Sequence, residues 1–183
     1  MGAMICLTEL SLFSGYGGFS LGLRLAGIET EVAAYVEIDP YCQRILEARM
    51  QDGYLPKGPI WDDIKTFDGL QWQHRIDILD AGFPCQPYST AGRRKGAADD
   101  RNLWPDTARV IGEVRPRYVL LENVPGITQV QGRGSPYALT VLGDLAQMGY
   151  DAIWGIVGAR DVGASHRRDR WWCLAHSNQR SKQ

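Results

Sequence analysis

Three features of this 183-residue chain predict an α/β protein with a doubly wound, mostly parallel sheet. Apolar β-type runs alternate with helical patterns, the order expected of parallel strands joined by crossover helices. The first run leads into a glycine-rich turn, Ser14-Gly15-Tyr16-Gly17-Gly18, that opens a helix. A carboxylate, Glu37, closes the second run about twenty residues further on. With 44% hydrophobic residues the chain can bury one core, so residues 1–183 read as a single unit.

The first strand is expected over about Thr8–Phe13. The helix after the turn runs to about Ala26 and stops at Gly27, because glycine takes up the left-handed conformation that ends helices. A strand near Glu31–Glu37 precedes a helix that opens at Pro40, whose fixed φ suits a first helical turn, and ends near Met50. Residues 51–72 are loop-rich, with a short apolar element near Ile60–Ile64. The apolar runs Ile76–Gly82 and Tyr118–Leu121 are expected as neighbouring strands. Between them lie Phe83–Asn102, which shows no periodicity, and a helix from about Leu103 to Val114. Unpatterned segments of that length are usually functional or disordered. A helix over about Tyr137–Met148, ended by Gly149, is followed by β-rich segments at Ala152–Val157 and Arg170–Ala175.

A net charge of −1 gives no overall pull toward nucleic acid. Any such binding must come from two local clusters, Arg93-Arg94-Lys95 and Arg167-Arg168-Asp169-Arg170, each of which alone reads more readily as a solvated loop. The four cysteines are widely spaced, with no C-x-x-C pair and no zinc-ligand pattern, so no metal is expected and a reducing cytoplasm fits. Cys6, Cys42 and Cys173 sit in apolar stretches and are expected to be buried, inert thiols. No apolar run is long enough to span a bilayer. Trp61, Trp72, Trp104 and Trp171 are expected to be packing residues.

The chemistry concentrates where two runs end. Pro84-Cys85-Gln86 follows one and Glu122-Asn123-Val124 the next. If these runs are adjacent parallel strands, a thiol and a carboxylate share the sheet edge where open α/β sheets bind ligands. A thiol beside a carboxylic acid suits attack on an electron-poor heterocycle whose ring nitrogen gains a proton as the nucleophile adds. The glycine turn allows close approach of a ligand at a helix N-terminus, and Glu37 stands where a nucleoside-binding sheet places a carboxylate on ribose hydroxyls. A dinucleotide fingerprint would need glycine at Ser20, which disfavours a nicotinamide cofactor. Taken singly, Glu122 could cap a turn and Arg170 could pair with Asp169 at the surface.

Four motifs occur in order: Phe13-Ser14-Gly15-Tyr16-Gly17-Gly18, Gly82-Phe83-Pro84-Cys85-Gln86-Pro87, Glu122-Asn123-Val124 and His166-Arg167-Arg168-Asp169-Arg170. Together they resemble the ordered motifs of the DNA cytosine-5 methyltransferases, from Leu7 to about Ala175. His166 stands where many members carry glutamine. The resemblance implies a Rossmann-like, S-adenosylmethionine-dependent methyltransferase fold facing a cytosine flipped out of DNA, as in restriction-modification enzymes. It makes Cys85 the nucleophile at cytosine C6, Glu122 the group that holds or protonates N3, and Arg168 and Arg170 the residues that orient the base and support the thiolate. It assigns Phe13, Gly15, Gly17, Gly18, Ile38 and Pro84 to the cofactor, Glu37 to its ribose, Asp63 and Ile64 to its adenine and Leu103 to the adenosyl pocket. Gln86, Ser89, Arg93, Arg94 and Lys95 would meet DNA from a mobile loop over Phe83–Asn102.

The family pattern continues beyond this point with a target-recognition region and two further motifs, one of which returns over the cofactor. The chain is therefore expected to carry a catalytic portion without the part that reads bases. A second polypeptide could supply it, and an uncovered apolar face would favour that pairing or a homodimer. A non-catalytic cofactor-binding remnant and an RNA cytosine-5 methyltransferase remain alternatives, since the same thiol chemistry serves a base exposed in RNA.

Overall fold

The computed structural model describes residues 6–84, 102–130 and 134–178. Its strands are β1 (Cys6–Leu12), β2 (Glu29–Val36), β3 (Ile60–Trp61), β4 (Ile78–Ala81), β5 (Tyr118–Asn123), β6 (Tyr150–Val157) and β7 (Arg170–Ser177). They form one seven-stranded sheet in the order β3-β2-β1-β4-β5-β7-β6. Only β7 runs against the rest, antiparallel to both β5 and β6. The chain winds outward from β1 to β3 and then crosses back to β4, which pairs with the other side of β1. That reversal is the switch point at which open α/β sheets leave a crevice at the C-terminal ends of their strands.

Helix α1 (Gly18–Leu25) ends as its sequence dictates. Gly27 takes φ 77°, and the amides of Gly27 and Ile28 return to the carbonyls of Arg24 and Leu23. Helix α2 (Pro40–Gln51) has proline at its first position and the Asp39 carboxylate accepting from Tyr41 N at 2.8 Å. Helices α3 (Trp104–Val114) and α4 (Tyr137–Gln147) carry their apolar residues on one face, and Val110, Ile111, Val114, Val141 and Leu145 are fully buried against the sheet and each other.

Three expectations need correction. The short apolar element narrows to the two residues of β3, which pair with Tyr35 and Val36. Glu122 and Asn123 do not follow β5 but lie within it, because β7 extends the ladder to Glu122↔Trp172 and Asn123↔Trp171. Cys6 is exposed at the N-terminal start of β1, and Cys42 is half-buried. Only Cys173 is the buried thiol expected, its pKa pushed up to about 11 by burial. Trp104 and Trp171 are core residues, Trp72 packs against the core from its margin, and Trp61 is 42% exposed.

Beneath the glycine turn the core is not purely apolar. Glu9 and Asp80, on β1 and β4, are both fully buried. Glu9 accepts from the hydroxyls of Ser20 and Thr30, and Asp80 Oδ1 accepts from Ser11 Oγ at 2.7 Å. Burial, with the neighbouring Glu9 charge second, raises the Asp80 pKa well above the ordinary carboxylate value. Ser20, at the position where a dinucleotide turn would need glycine, is thus committed to the core.

Candidate active site

The turn between β1 and α1 is shaped by positive φ at Phe13 (53°), Gly15 (54°) and Gly17 (77°). Gly17 has a second constraint, since a Cβ there would crowd the Leu55 side chain. Ser14 ties the turn to the strand ends, donating from Oγ to Ser11 O at 2.9 Å and from N to Val36 O at 3.1 Å.

Glu37 lies one residue past β2 and is 8% exposed. Its Oε2 accepts from Gly15 N at 2.7 Å and its Oε1 from Asp39 N at 2.8 Å. Its amide donates to Trp61 O at 2.9 Å, and its carbonyl accepts from Gln43 Nε2 at 2.6 Å. The carboxylate therefore fixes the glycine turn and the start of α2, the main-chain amide holds the end of β3, and each carboxylate oxygen retains acceptor capacity for a hydroxyl. Ile38 is 67% exposed next to it. Asp63 is half-buried just past β3, with Oδ1 accepting from Lys65 N at 2.9 Å. The Ile64 side chain points into the core, so any contact it makes with a ligand runs through its main chain. Pro84 and Leu103 are half-buried, one past β4 and one ahead of α3.

On the other side of the switch point, Glu122 and Arg170 form an ion pair with Nε to Oε1 at 2.6 Å, both side chains less than a quarter exposed. Arg170 donates from Nη1 only to the main-chain oxygen of Asp169, so its carboxylate partner is Glu122. Desolvation raises the Glu122 pKa above the ordinary value, and the charges of Arg170 and Arg168 oppose that rise without cancelling it. Gly82 covers this pair closely, as a Cβ there would stand 3.6 Å from Glu122 Oε2. Asn123, facing away from Glu122 on the pleat, donates to Phe83 O at 2.9 Å and accepts from Val124 N at 2.8 Å. The Glu-Asn dipeptide thus sends one side chain to the chemistry and the other to the chain just ahead of Cys85.

A groove of about 740 Å³ joins the two halves. Phe13, Ser14 and Gly18 line one end, Glu122, Arg168 and Arg170 another, and Phe19, Leu23, Leu120 and Trp172 give it an apolar floor. Phe19 and Trp172 meet edge to face at 5.9 Å. The structure therefore brings together Phe13, Gly18, Glu122, Arg168 and Arg170, with Gly15 and Glu37 beside them. Cys85, Gln86, Ser89, Arg93, Arg94 and Lys95 lie outside the described residues.

The family model for C-5 cytosine-specific DNA methylases matches residues 7–183. The chain belongs to that family. Among curated C-5 methylase relatives, the type II methyltransferase M.CviJI of Paramecium bursaria Chlorella virus IL3A is 34% identical over 91% of this chain and 42% of its own length. M.NgoMIV of Neisseria gonorrhoeae is 33% identical over 94% of the chain and 52% of its own. The crystal structure of S. pombe Dnmt2 methyltransferase superposes with a TM-score of 0.73 and 28% identity, covering 97% of this chain and 53% of that one. A Spodoptera frugiperda DNMT2 mutant at 20% identity, with a TM-score of 0.75, shares the fold. The chain spans about half the length of the relatives it matches.

Two residues at this site carry little signal in the sequence. Asn123 stands in a motif, but only the alternation of an in-strand position assigns it to Phe83 O. Trp172 carries no local signal apart from its place opposite Glu122 in the β5–β7 ladder.

Proposed function

We propose that residues 1–183 act as the catalytic portion of a DNA cytosine-5 methyltransferase, in the cytoplasm. The carrying observation is the half-buried Glu122–Arg170 pair at the sheet edge, one strand away from the Phe83-Pro84 main chain that leads into Cys85. The end of the groove at Phe13 and Gly18 suits S-adenosylmethionine: the space over Gly18 is open, and Glu37, beside the turn, offers a braced carboxylate for a ribose diol. When bound, that cofactor supplies the methyl group that C5 of cytosine receives.

The protein's own part runs as follows. Cys85 thiolate adds to C6, and Glu122 gives its proton to N3, so the electron pair released from the C5–C6 double bond makes C5 nucleophilic. A carboxyl whose pKa burial has raised is a better proton donor near neutrality than an ordinary glutamate. Arg170 fixes the carboxyl's orientation while Arg168, exposed at the groove, adds positive charge that favours thiolate over thiol. Once C5 has been methylated, its proton passes to water, the electron pair of that C–H bond re-forms the C5–C6 double bond and expels Cys85 as thiolate, and N3 returns its proton to Glu122. The role of Cys85 rests on its place directly after Pro84 in the family motif. A second polypeptide supplying target recognition, or a second copy of the chain, is proposed as partner on the strength of the open groove. The intact pair of Glu122 and Arg170 favours turnover over a cofactor-binding remnant.

DNA carrying 5-fluorocytosine tests this, because the fluorine blocks release at C5 and leaves the adduct. With a complementary C-terminal fragment of a relative added, the chain should form a covalent complex in the presence of cofactor, Cys85→Ser should form none, and Glu122→Gln should suppress the adduct while cofactor affinity measured by calorimetry stays nearly unchanged. An adduct that survives Cys85→Ser removes the nucleophile assignment. Loss of cofactor binding in Glu122→Gln would move Glu122 from the base to the cofactor.

A further inference from the structure

Helix α3 grips the loop that follows β3. Arg109 donates from Nη2 to Ile64 O at 2.6 Å and from Nη1 to Phe67 O at 3.0 Å. The same Nη1 stands 2.9 Å from both carboxylate oxygens of Glu113, one turn along the helix. Glu113 Oε2 accepts from Gly69 N at 3.0 Å. Gly69 lies flush on the helix, since a Cβ there would be 2.8 Å from Glu113 Oε2 and 3.0 Å from Val114 Cγ2. One arginine–carboxylate pair thus holds three main-chain groups between Ile64 and Gly69.

The ion pair is one-third exposed at Arg109 and about a quarter at Glu113, a setting in which charge pairing alone adds little to stability. What it does accomplish is geometric. The loop turns at Asp63, whose carbonyl accepts from Thr66 N at 3.0 Å, and the strand just before it supplies the Trp61 carbonyl that receives Glu37 N. With the glycine turn at the end of β1 and Glu37 at the end of β2, a nucleoside seated on this edge runs outward along the order β1-β2-β3. Its base then falls over the end of β3, at Asp63 and the Ile64 main chain.

We infer that Arg109, locked by Glu113, is a positioning residue for the base end of the cofactor: it sets the height and tilt of Asp63–Ile64 without touching the ligand. The inference rests on reading Glu37 as the ribose carboxylate. Arginine is required because its planar fork reaches two carbonyls and a carboxylate together, which a lysine ammonium cannot do.

Calorimetric titration of the chain with S-adenosylhomocysteine tests the clamp in a cycle of Arg109→Lys, Asp63→Ala and the double variant, with thermal unfolding as the check on folding. Arg109→Lys and Asp63→Ala should each weaken binding by about tenfold, and the double variant should be no weaker than the worse single one. Glu113→Gln, which keeps an acceptor for Gly69 N, should weaken binding less than Arg109→Lys and provides a second variant if the lysine one folds poorly. Unchanged affinity in Arg109→Lys while Asp63→Ala binds poorly overturns the clamp alone, as do losses that multiply in the double variant. No effect of Asp63→Ala, or no affinity of the unaltered chain, overturns the base subsite and the clamp with it.

Discussion

At Glu122 two influences act in opposite directions on one proton. Removal from water favours the neutral acid, and the guanidinium charges of Arg170 and Arg168 favour the carboxylate, yet the pKa remains raised. The acid form therefore persists to higher pH than in a free glutamate, and a reaction needing that proton weakens as the pH rises through the raised value. Arg170→Met should lift the value further, because it removes the largest opposing charge and leaves desolvation in place. Carbon-13 NMR titration of the labelled glutamate carboxyl reads this directly. A downward shift in Arg170→Met would mean that the carboxyl is ruled by hydration at the groove mouth and not by burial. The buried Asp80 carboxyl is raised by the same desolvation, with the neighbouring Glu9 charge adding to it, beneath the glycine turn.

The elements that could be read from sequence are those whose cause is local. Gly27 ends α1, Pro40 with Asp39 starts α2, and the alternation of apolar runs gives the parallel strands, all within a residue or two of their expected limits. The glycine turn and Glu37 were legible as a pair because their spacing matches one βαβ unit. What escaped has a distant cause. Glu122 became part of a strand because β7, nearly fifty residues on, pairs with it, and Arg109 acquired a role only when the loop at Ile64 folded back over α3. Glu37 deserves its own test, since it braces Gly15 whether or not a ribose is present. Glu37→Ala should weaken S-adenosylhomocysteine binding by about 1.5–3 kcal/mol, the worth of a charged hydrogen bond, and NADH should not bind. Calorimetry that finds no loss in Glu37→Ala, or measurable NADH affinity, would return this edge of the sheet to an unassigned nucleotide site.

At the scale of the molecule, the described residues leave one face of the β5-β7-β6 half of the sheet open at the groove. Helix α1 bounds the groove on one side, with Phe19, Leu23 and Ala26, while Leu120, Val157 and Trp172 form the sheet face opposite. Ile153 and Leu174 face each other across β6 and β7 and, by the alternation of strands, extend that face; both are exposed. Contiguous exposed apolar patches on a protein surface mark a partner's seat. The relatives are about twice as long as this chain, so a polypeptide corresponding to the length they carry beyond the match is the proposed occupant. On the proposed function, groove reading of DNA is assigned to the same source, because a net charge of −1 gives this chain no overall pull toward phosphates. The chain alone should bind duplex DNA weakly, without sequence preference and with affinity falling steeply with salt, since phosphate contacts release counterions and flipping a cytosine costs a few kcal/mol that base contacts would otherwise offset. Methyl transfer from tritiated cofactor should accordingly be feeble until a complementary C-terminal fragment of a relative is added. Leu174→Glu, on the exposed apolar face, should reduce that complementation while leaving S-adenosylhomocysteine binding intact. Vigorous, site-specific methylation by the lone chain would show that the open face needs no cover and that target reading resides within these 183 residues.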